Sequence, residues 1–126
     1  MEPKRILIVD DEDDIREVAE VSLASVGGFD VSTAESGLQG IEKAREEQPD
    51  AILLDVMMPD MDGPSTFAEL QRLEETSDIP VLFVTAKVQP ADLRRFAELG
   101  VAGVLAKPFD PMTLSEQVAG ALDWSD

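Results

Sequence analysis

The sequence predicts an α/β domain built as a doubly wound parallel sheet. Five short runs rich in apolar and β-branched residues alternate with five stretches of helical apolar spacing. Strict alternation of this kind places parallel strands under helices on both faces. The first and third runs are continuously apolar, as strands covered on both faces are. The connections between runs are short, and 126 residues fit one domain able to bury roughly two-thirds of its unfolded surface.

Residues 6–9 (ILIV) make the first strand. Residues 13–26 follow as a helix, with Ile15, Val18, Ala19 and Val26 at helical spacing and Gly27 and Gly28 as its stop. Residues 29–33 read as the second strand. Residues 37–48 form a helix whose stripe is Leu38, Ile41 and Ala44, with Pro49 beyond its end. Residues 51–54 (AILL) are a third buried strand. Residues 59–63 (PDMDG) make a loop by their turn chemistry. Residues 65–75 are helical, with Phe67, Leu70 and Leu73 inward. Residues 80–84 (PVLFV) are the fourth strand. Pro90 suits the first position of a helix carrying Leu93, Phe96 and Ala97, closed by Gly100. Residues 101–106 are the fifth strand, interrupted by Gly103. The last helix, 111–122, buries Leu114, Val118, Ala121 and Leu122. No repeat, linker or low-complexity tract is present, so one domain over 1–126 is expected, with a core of about residues 4–123.

Composition removes several chemistries. Without cysteine there are no disulfides and no thiolate metal sites. Without histidine there is no histidine-based triad, zinc site or phosphodonor within the chain. Tyrosine is absent too, leaving carboxylates, hydroxyls and lysines as nucleophiles. The formal charge of −17, from 27 acidic and 10 basic residues, repels nucleic acid and anionic membrane. It suits a basic partner or a cation, although most of such a charge serves solubility. The apolar runs fall far short of a membrane span, and the N-terminal stretch turns acidic too soon for a signal peptide. A cytoplasmic protein is expected.

The residues just past the strands carry the chemistry. Asp10, Asp11 and Glu12 follow the first strand, Asp55 the third, Thr85 the fourth and Lys107 the fifth. The second strand runs out through Thr33 and Ala34, with nothing comparable before Glu35. Open parallel sheets bind ligands beyond the carboxyl ends of their strands, where the strand order reverses. With the order 2-1-3-4-5, strands one, three, four and five surround one point. Each residue also has a plain structural use: the acids as a helix cap, Asp55 as a turn, Thr85 as a strand end and Lys107 as a solvated surface charge. It is the set, in order, that points to a site. Converging carboxylates repel one another and raise a pKa unless a cation intervenes. An all-oxygen site with room for water suits Mg²⁺, and Mn²⁺ also fits. Lys107 supplies a point charge for a phosphoryl oxygen and Thr85 a mobile hydroxyl donor. Ala86 is small enough to keep the approach open, and Gly63 frees the backbone at the same rim. Met57, Met58 and Met61 read as loop packing.

These residues resemble the receiver domains of two-component response regulators, of the CheY-like kind, across nearly the whole chain. The motifs are ILIVDDE, LLDVMMPDMDG, VTA and LAKPF. Asp55 follows Asp11 by 44 residues, Thr85 follows Asp55 by 30 and Lys107 follows Thr85 by 22, much as in that family. The resemblance implies a flavodoxin-like fold with order 2-1-3-4-5. It implies that Asp55 accepts a phosphoryl group from a histidine kinase or histidine phosphotransfer protein, so that the domain is no enzyme beyond its own phosphorylation and dephosphorylation. Asp10, Asp11, Asp55 and the Met57 backbone carbonyl are then the Mg²⁺ ligands, and Thr85 and Lys107 contact the phosphoryl group. A cis Lys107–Pro108 bond is implied, as is a donor-docking surface near Ile15, Arg16, Pro108 and Phe109. Met57 and Lys87 flank the path of hydrolytic water. The family's usual aromatic three residues before the lysine is replaced by Val104, which cannot sweep the same volume when the threonine moves.

An aspartyl phosphohydrolase of the haloacid dehalogenase type would need a second acid two residues after its nucleophile, where Met57 stands. A nucleotide binder would need a glycine-rich first turn, and this one is acidic. The remaining alternative is a pseudo-receiver acting as a phosphorylation-independent interaction module. The initial Met1 and the lack of a linker lead one to expect a stand-alone receiver without an output domain, monomeric or weakly dimeric.

Overall fold

Continuous apolar runs have no polar face to show to water, and they take the middle of the sheet. In the computed structural model, which describes residues 2–124, five parallel strands lie in the order β2-β1-β3-β4-β5. The strands are β1 Arg5–Val9, β2 Asp30–Ala34, β3 Ala51–Asp55, β4 Val81–Thr85 and β5 Gly103–Ala106. Every residue of β3 and β4 is buried, whereas the edge strand β2 is mostly half-buried. The helices are α1 Asp13–Val21, α2 Gly37–Glu47, α3 Gly63–Arg72, α4 Pro90–Leu99 and α5 Leu114–Ala121. Met1, Ser125 and Asp126, on which the stand-alone expectation partly rests, lie outside the described residues.

The period-two alternation of strand side chains divides the core into two layers. Leu7, Val9, Ile52, Leu54, Val81 and Phe83 pack with Ile41 and Ala44 of α2, Phe67 and Leu70 of α3, and Phe96 of α4. Ile6, Ile8, Leu53, Leu82, Val84 and Leu105 pack with Ala19, Leu23, Leu114 and Val118 on the other face. Phe83 meets Phe67 and Phe96 edge-on, with ring centroids 5.9 and 5.1 Å apart. Such contacts add about 0.5–1.5 kcal/mol each beyond area burial. Local chemistry sets the helix starts. Ser36 accepts the Gln39 N–H at 3.2 Å ahead of α2, and Asp62 accepts the Ser65 N–H at 2.8 Å ahead of α3.

Four helical stripes differ from the periodic expectation. In α2 the inward positions are Gly37, Gly40, Ile41 and Ala44, and Leu38 is 66% exposed. The helix lies so close to β1 that a Cβ on Gly40 would come within 2.8 Å of Val9 Cγ2, so glycines occupy the stripe and Leu38 falls beside it. In α1 Ala19 faces the core while Val18 and Val26 are exposed. Residues Ser22–Val26 continue it as a π turn, whose wider winding rotates the following positions and brings Ser22 and Leu23 inward. In α4 only Phe96 is buried, one ring filling the space under a helix near the sheet edge, so Leu93 and Ala97 are exposed. In α5 Ala121 is exposed past the end of the sheet, while Leu122 still packs against the core.

Boundaries shift by smaller amounts. β2 starts and ends one residue later than expected, and β5 begins at Gly103. Residues 111–113 form a turn before α5. α3 stops at Arg72 because the buried Thr76 hydroxyl donates to the Leu70 carbonyl at 2.7 Å and satisfies a carbonyl near the helix end. No helix among the described residues is long and apolar enough to cross a membrane.

Candidate functional site

A parallel sheet sends all its strands out at one end, and the central strands bring their last residues together there. Asp10 follows β1, Asp55 ends β3, Thr85 ends β4 and Lys107 follows β5. The register pairs Asp55 with Val84 and Thr85 with Ala106, so neighbouring strands finish almost level. Asp10 and Asp55 are buried at 2% and 3% exposure, and Asp11 is exposed. One carboxylate oxygen from each of Asp10, Asp11 and Asp55 lies within 4.8 Å of the others.

Lys107 is the counterion. Its Nζ donates to Asp10 Oδ2 at 2.9 Å and to Asp55 Oδ1 at 3.1 Å, with Glu12 Oε1 at 3.9 Å. The other Asp10 oxygen accepts the Glu12 N–H at 2.9 Å, so Asp10 shapes the turn into α1 as well as facing the cluster. Asp55 Oδ2 is different. Among the described residues it is the buried side-chain polar atom that has no hydrogen-bond partner. An orphaned buried carboxylate oxygen is costly and calls for a ligand.

Electrostatics agree. Burial first, and then the charge of Asp10, push the Asp55 carboxyl from 3.8 up to about 6, against the pull of Lys107. Burial pulls the Lys107 ammonium down, but Asp10 and then Asp55 outweigh it, and the net shift is upward. Asp10 and Asp55 therefore share one fixed cation, with a third carboxylate, Asp11, beside them. Hard oxygen donors with an unmet lone pair fit Mg²⁺ or Mn²⁺, which take carboxylate and carbonyl oxygens and retain water.

The remaining predicted residues fall around this centre. Thr85 is buried, but its hydroxyl accepts the Lys87 N–H at 3.0 Å and makes no hydrogen bond to Asp55 or Lys107 among the described residues. Met57 is 62% exposed on the rim, while Met58 and Met61 pack into the core. The Lys107–Pro108 bond is cis. Gly63 permits a close approach: a Cβ there would lie 2.6 Å from the Asp55 carbonyl oxygen and 2.8 Å from Val56 Cα. Both neighbours are backbone and cannot swing aside. Gly63→Ala is accordingly expected to cost about 2 kcal/mol, as overpacking does. It should appear as a lower denaturant midpoint at constant m. An unchanged midpoint would mean that the loop after β3 yields freely.

Two contacts lie outside the sequence expectation. Arg16 Nη1 donates to the Asp10 carbonyl at 2.7 Å, and Glu12 approaches Lys107. Nothing in the periodicity of 13–26 signals the first, because it depends on how the turn after β1 folds back.

Residues 6–119 match the family model of the response regulator receiver domain. The chain belongs to the response regulator receiver domain family. This receiver is 38% identical over 122 residues to the DNA-binding dual master transcriptional regulator RpaA of Synechocystis, covering 97% of this chain and 50% of that protein. It is 37% identical over 123 residues to the alkaline phosphatase synthesis transcriptional regulatory protein PhoP of Bacillus subtilis, covering 98% and 50%. The receiver thus spans about half the length of the curated relatives it matches. The chemotaxis protein CheY4 of Vibrio cholerae superposes with a TM-score of 0.87 at 29% identity, covering 94% of this chain and 98% of that one. The receiver domain of the sensor histidine kinase PA1611 of Pseudomonas aeruginosa, solved with a magnesium ion coordinated in its active-site cleft, superposes at 0.83 with 29% identity, covering 96% and 98%. The receiver is a signalling domain of two-component systems rather than an ordinary enzyme, and its sheet has the flavodoxin-like, CheY-like order that the sequence predicts.

Proposed function

We propose that this receiver takes a phosphoryl group onto Asp55 from a histidine kinase or histidine phosphotransfer protein. The observation that carries the proposal is the buried Asp55 carboxylate, with Oδ1 held by Lys107 and Oδ2 left without a partner beside Asp10 and Asp11. With its pKa at about 6, most Asp55 is ionised at neutral pH and retains a nucleophilic lone pair. An Asp55 oxygen forms a bond to phosphorus as the bond from phosphorus to the donor imidazole nitrogen breaks. The products are an acyl phosphate and a histidine side chain. The Lys107 ammonium follows the new charge from the carboxylate to a phosphoryl oxygen. The Thr85 hydroxyl exchanges its role as acceptor from Lys87 for that of donor to another phosphoryl oxygen. Mg²⁺ or Mn²⁺, held by Asp10, Asp11, Asp55 and the Met57 carbonyl, supplies positive charge that offsets repulsion between carboxylates and phosphoryl oxygens.

A partner face is supported by exposed apolar side chains along the first helix, beyond the Ile15 and Arg16 turn. Val18, Val21 and Val26 of α1 and its π turn lie near Met112 and Pro111 of the loop before α5. The acids around this face suit a basic-flanked partner, whereas nucleic acid is repelled. A cytoplasmic setting goes with a kinase donor. Val104 is half-buried against the layer containing Phe83 and Phe96. It lacks a ring to turn inward when Thr85 moves, which favours a different output surface or phosphoryl relay. A matching shift of the α4–β5–α5 surface on phosphorylation, as large as in aromatic-bearing relatives, would overturn that last point.

The test is intact mass after incubation with acetyl phosphate, with and without Mg²⁺, followed by a histidine-phosphorylated donor. A Mg²⁺-dependent gain of one phosphoryl group is expected. No gain from either donor would leave a phosphorylation-independent interaction module. Mg²⁺ alone should raise the melting temperature, and by more at pH 7.5 than at pH 5, because Asp55 then needs no deprotonation to bind it. An equal rise at both values would count against Asp55 as a ligand.

A further inference from the structure

We infer that Arg16 is a positioning residue for the cation site. The inference rests on the reading of Asp10 and Asp11 as its ligands. Arg16 lies near the start of α1 and reaches back six residues, where Nη1 donates to the Asp10 backbone carbonyl at 2.7 Å. Its side chain is 15% exposed although it stands on a surface helix. Two acids hold the guanidinium from different elements: Asp13 of α1 pairs with Nη2, and Glu35 after β2 lies 3.8 Å from the same nitrogen. The guanidinium is thus held at Nη2 while Nη1 meets the carbonyl.

The consequence follows from peptide geometry. The Asp10 carbonyl belongs to the rigid plane that joins Asp10 to Asp11. The Asp10 N–H is itself committed to the Ala34 carbonyl at 3.1 Å. Holding both the N–H and the carbonyl therefore restrains the backbone torsions of Asp10, which set where its own Cβ and the following Asp11 peptide lie, and so the base from which both carboxylates project. Arg16 touches neither carboxylate of the pair. A cation placed this near a cation site would ordinarily weaken it by repulsion. Here Asp13 and Glu35 offset that charge, so Arg16 retains its geometric effect with little field.

Charge and position predict opposite results when Arg16 is removed. Repulsion alone predicts tighter Mg²⁺ binding in Arg16→Ala. Positioning predicts weaker binding, by about tenfold in Kd, as is typical when an outer partner of a metal ligand is lost. Mg²⁺ titration by calorimetry on the folded, unphosphorylated protein decides between them, with metal-free melting temperatures measured alongside. Arg16→Lys keeps the charge and one donor, so it should recover part of the affinity, and it serves equally should the alanine variant fold poorly. Equal or tighter Mg²⁺ binding in both variants overturns the inference while leaving the metal site standing. Failure of the wild type to bind Mg²⁺ overturns the site and the inference together.

Discussion

Asp55→Asn is expected to gain no phosphoryl group from acetyl phosphate or a histidine donor and, in chelator at pH 7.5, to be more stable than the wild type. Both effects come from one carboxylate. The amide has no anionic oxygen to attack phosphorus, so the loss of uptake is complete. The stability gain follows from the raised pKa. Below about pH 4 the Asp55 carboxyl is protonated in the folded and unfolded states alike, and it contributes nothing to the pH dependence. Between 3.8 and about 6 the folded protein holds a proton that the unfolded chain has lost, so stability falls as pH rises. Above about 6 the penalty is complete. A shift of this size amounts to about 3 kcal/mol, or roughly 10 °C in a domain of this length. The difference between wild type and Asp55→Asn should therefore open across that window and remain constant above it. Melting curves in chelator from pH 4 to 8 measure it, and comparison with the mutant cancels the repulsion shared by the other acids. A constant difference across the window would show that Asp55 titrates as an ordinary carboxyl.

Lys107→Met acts in the opposite direction on stability. Lys107 bridges Asp10 and Asp55, each less than 5% exposed at the side chain. Its folded pKa is raised, so its contribution is fully present at neutral pH and is lost only as pH climbs above the ordinary lysine range. Methionine keeps much of the stem and leaves two buried carboxylates without a cation. Breaking a buried pair from one side costs about 3–5 kcal/mol. The loss should be largest in chelator at pH 7.5. It should shrink toward pH 5 as Asp55 takes up a proton, since Lys107 is what holds the Asp55 pKa down. Phosphoryl uptake with Mg²⁺ should slow by about 100-fold, the usual effect of removing one preorganised donor to a developing charge. Chemical denaturation at the two pH values and time-resolved intact mass measure these separately. Unaltered stability at pH 7.5 would show that water already screens the two acids.

The alternation of strands and helices was legible because it is written locally. ILIV and AILL cannot be exposed on either face, and Pro49, Pro90 and Gly100 mark helix ends through their own backbone chemistry. The order of elements and the residues at the strand ends were likewise open to reading, since a parallel sheet has one carboxyl end and places Asp10, Asp55, Thr85 and Lys107 there by topology. The inward faces of the helices were less so. Periodicity favours the largest apolar residue, which suggested Leu38, whereas packing against Val9 and Thr66 selects Gly37 and Gly40. The π turn at Ser22–Val26 moved Val26 outward for a similar reason: the winding responds to what the chain packs against.

By itself, then, the sequence determined the sheet, its helices and the set of groups at its carboxyl end, through local periodicity and chain order. Tertiary structure alone decided how those groups meet. Lys107 reaches Asp10 across 97 residues and Asp55 across 52, while burial and the charge of Asp10 raise the Asp55 pKa against those bonds and Asp55 Oδ2 is left without a partner. Arg16 meets the Asp10 carbonyl only because the turn after β1 folds back. Burial and hydrogen-bond direction depend on atoms far apart in the chain, and no local pattern encodes them.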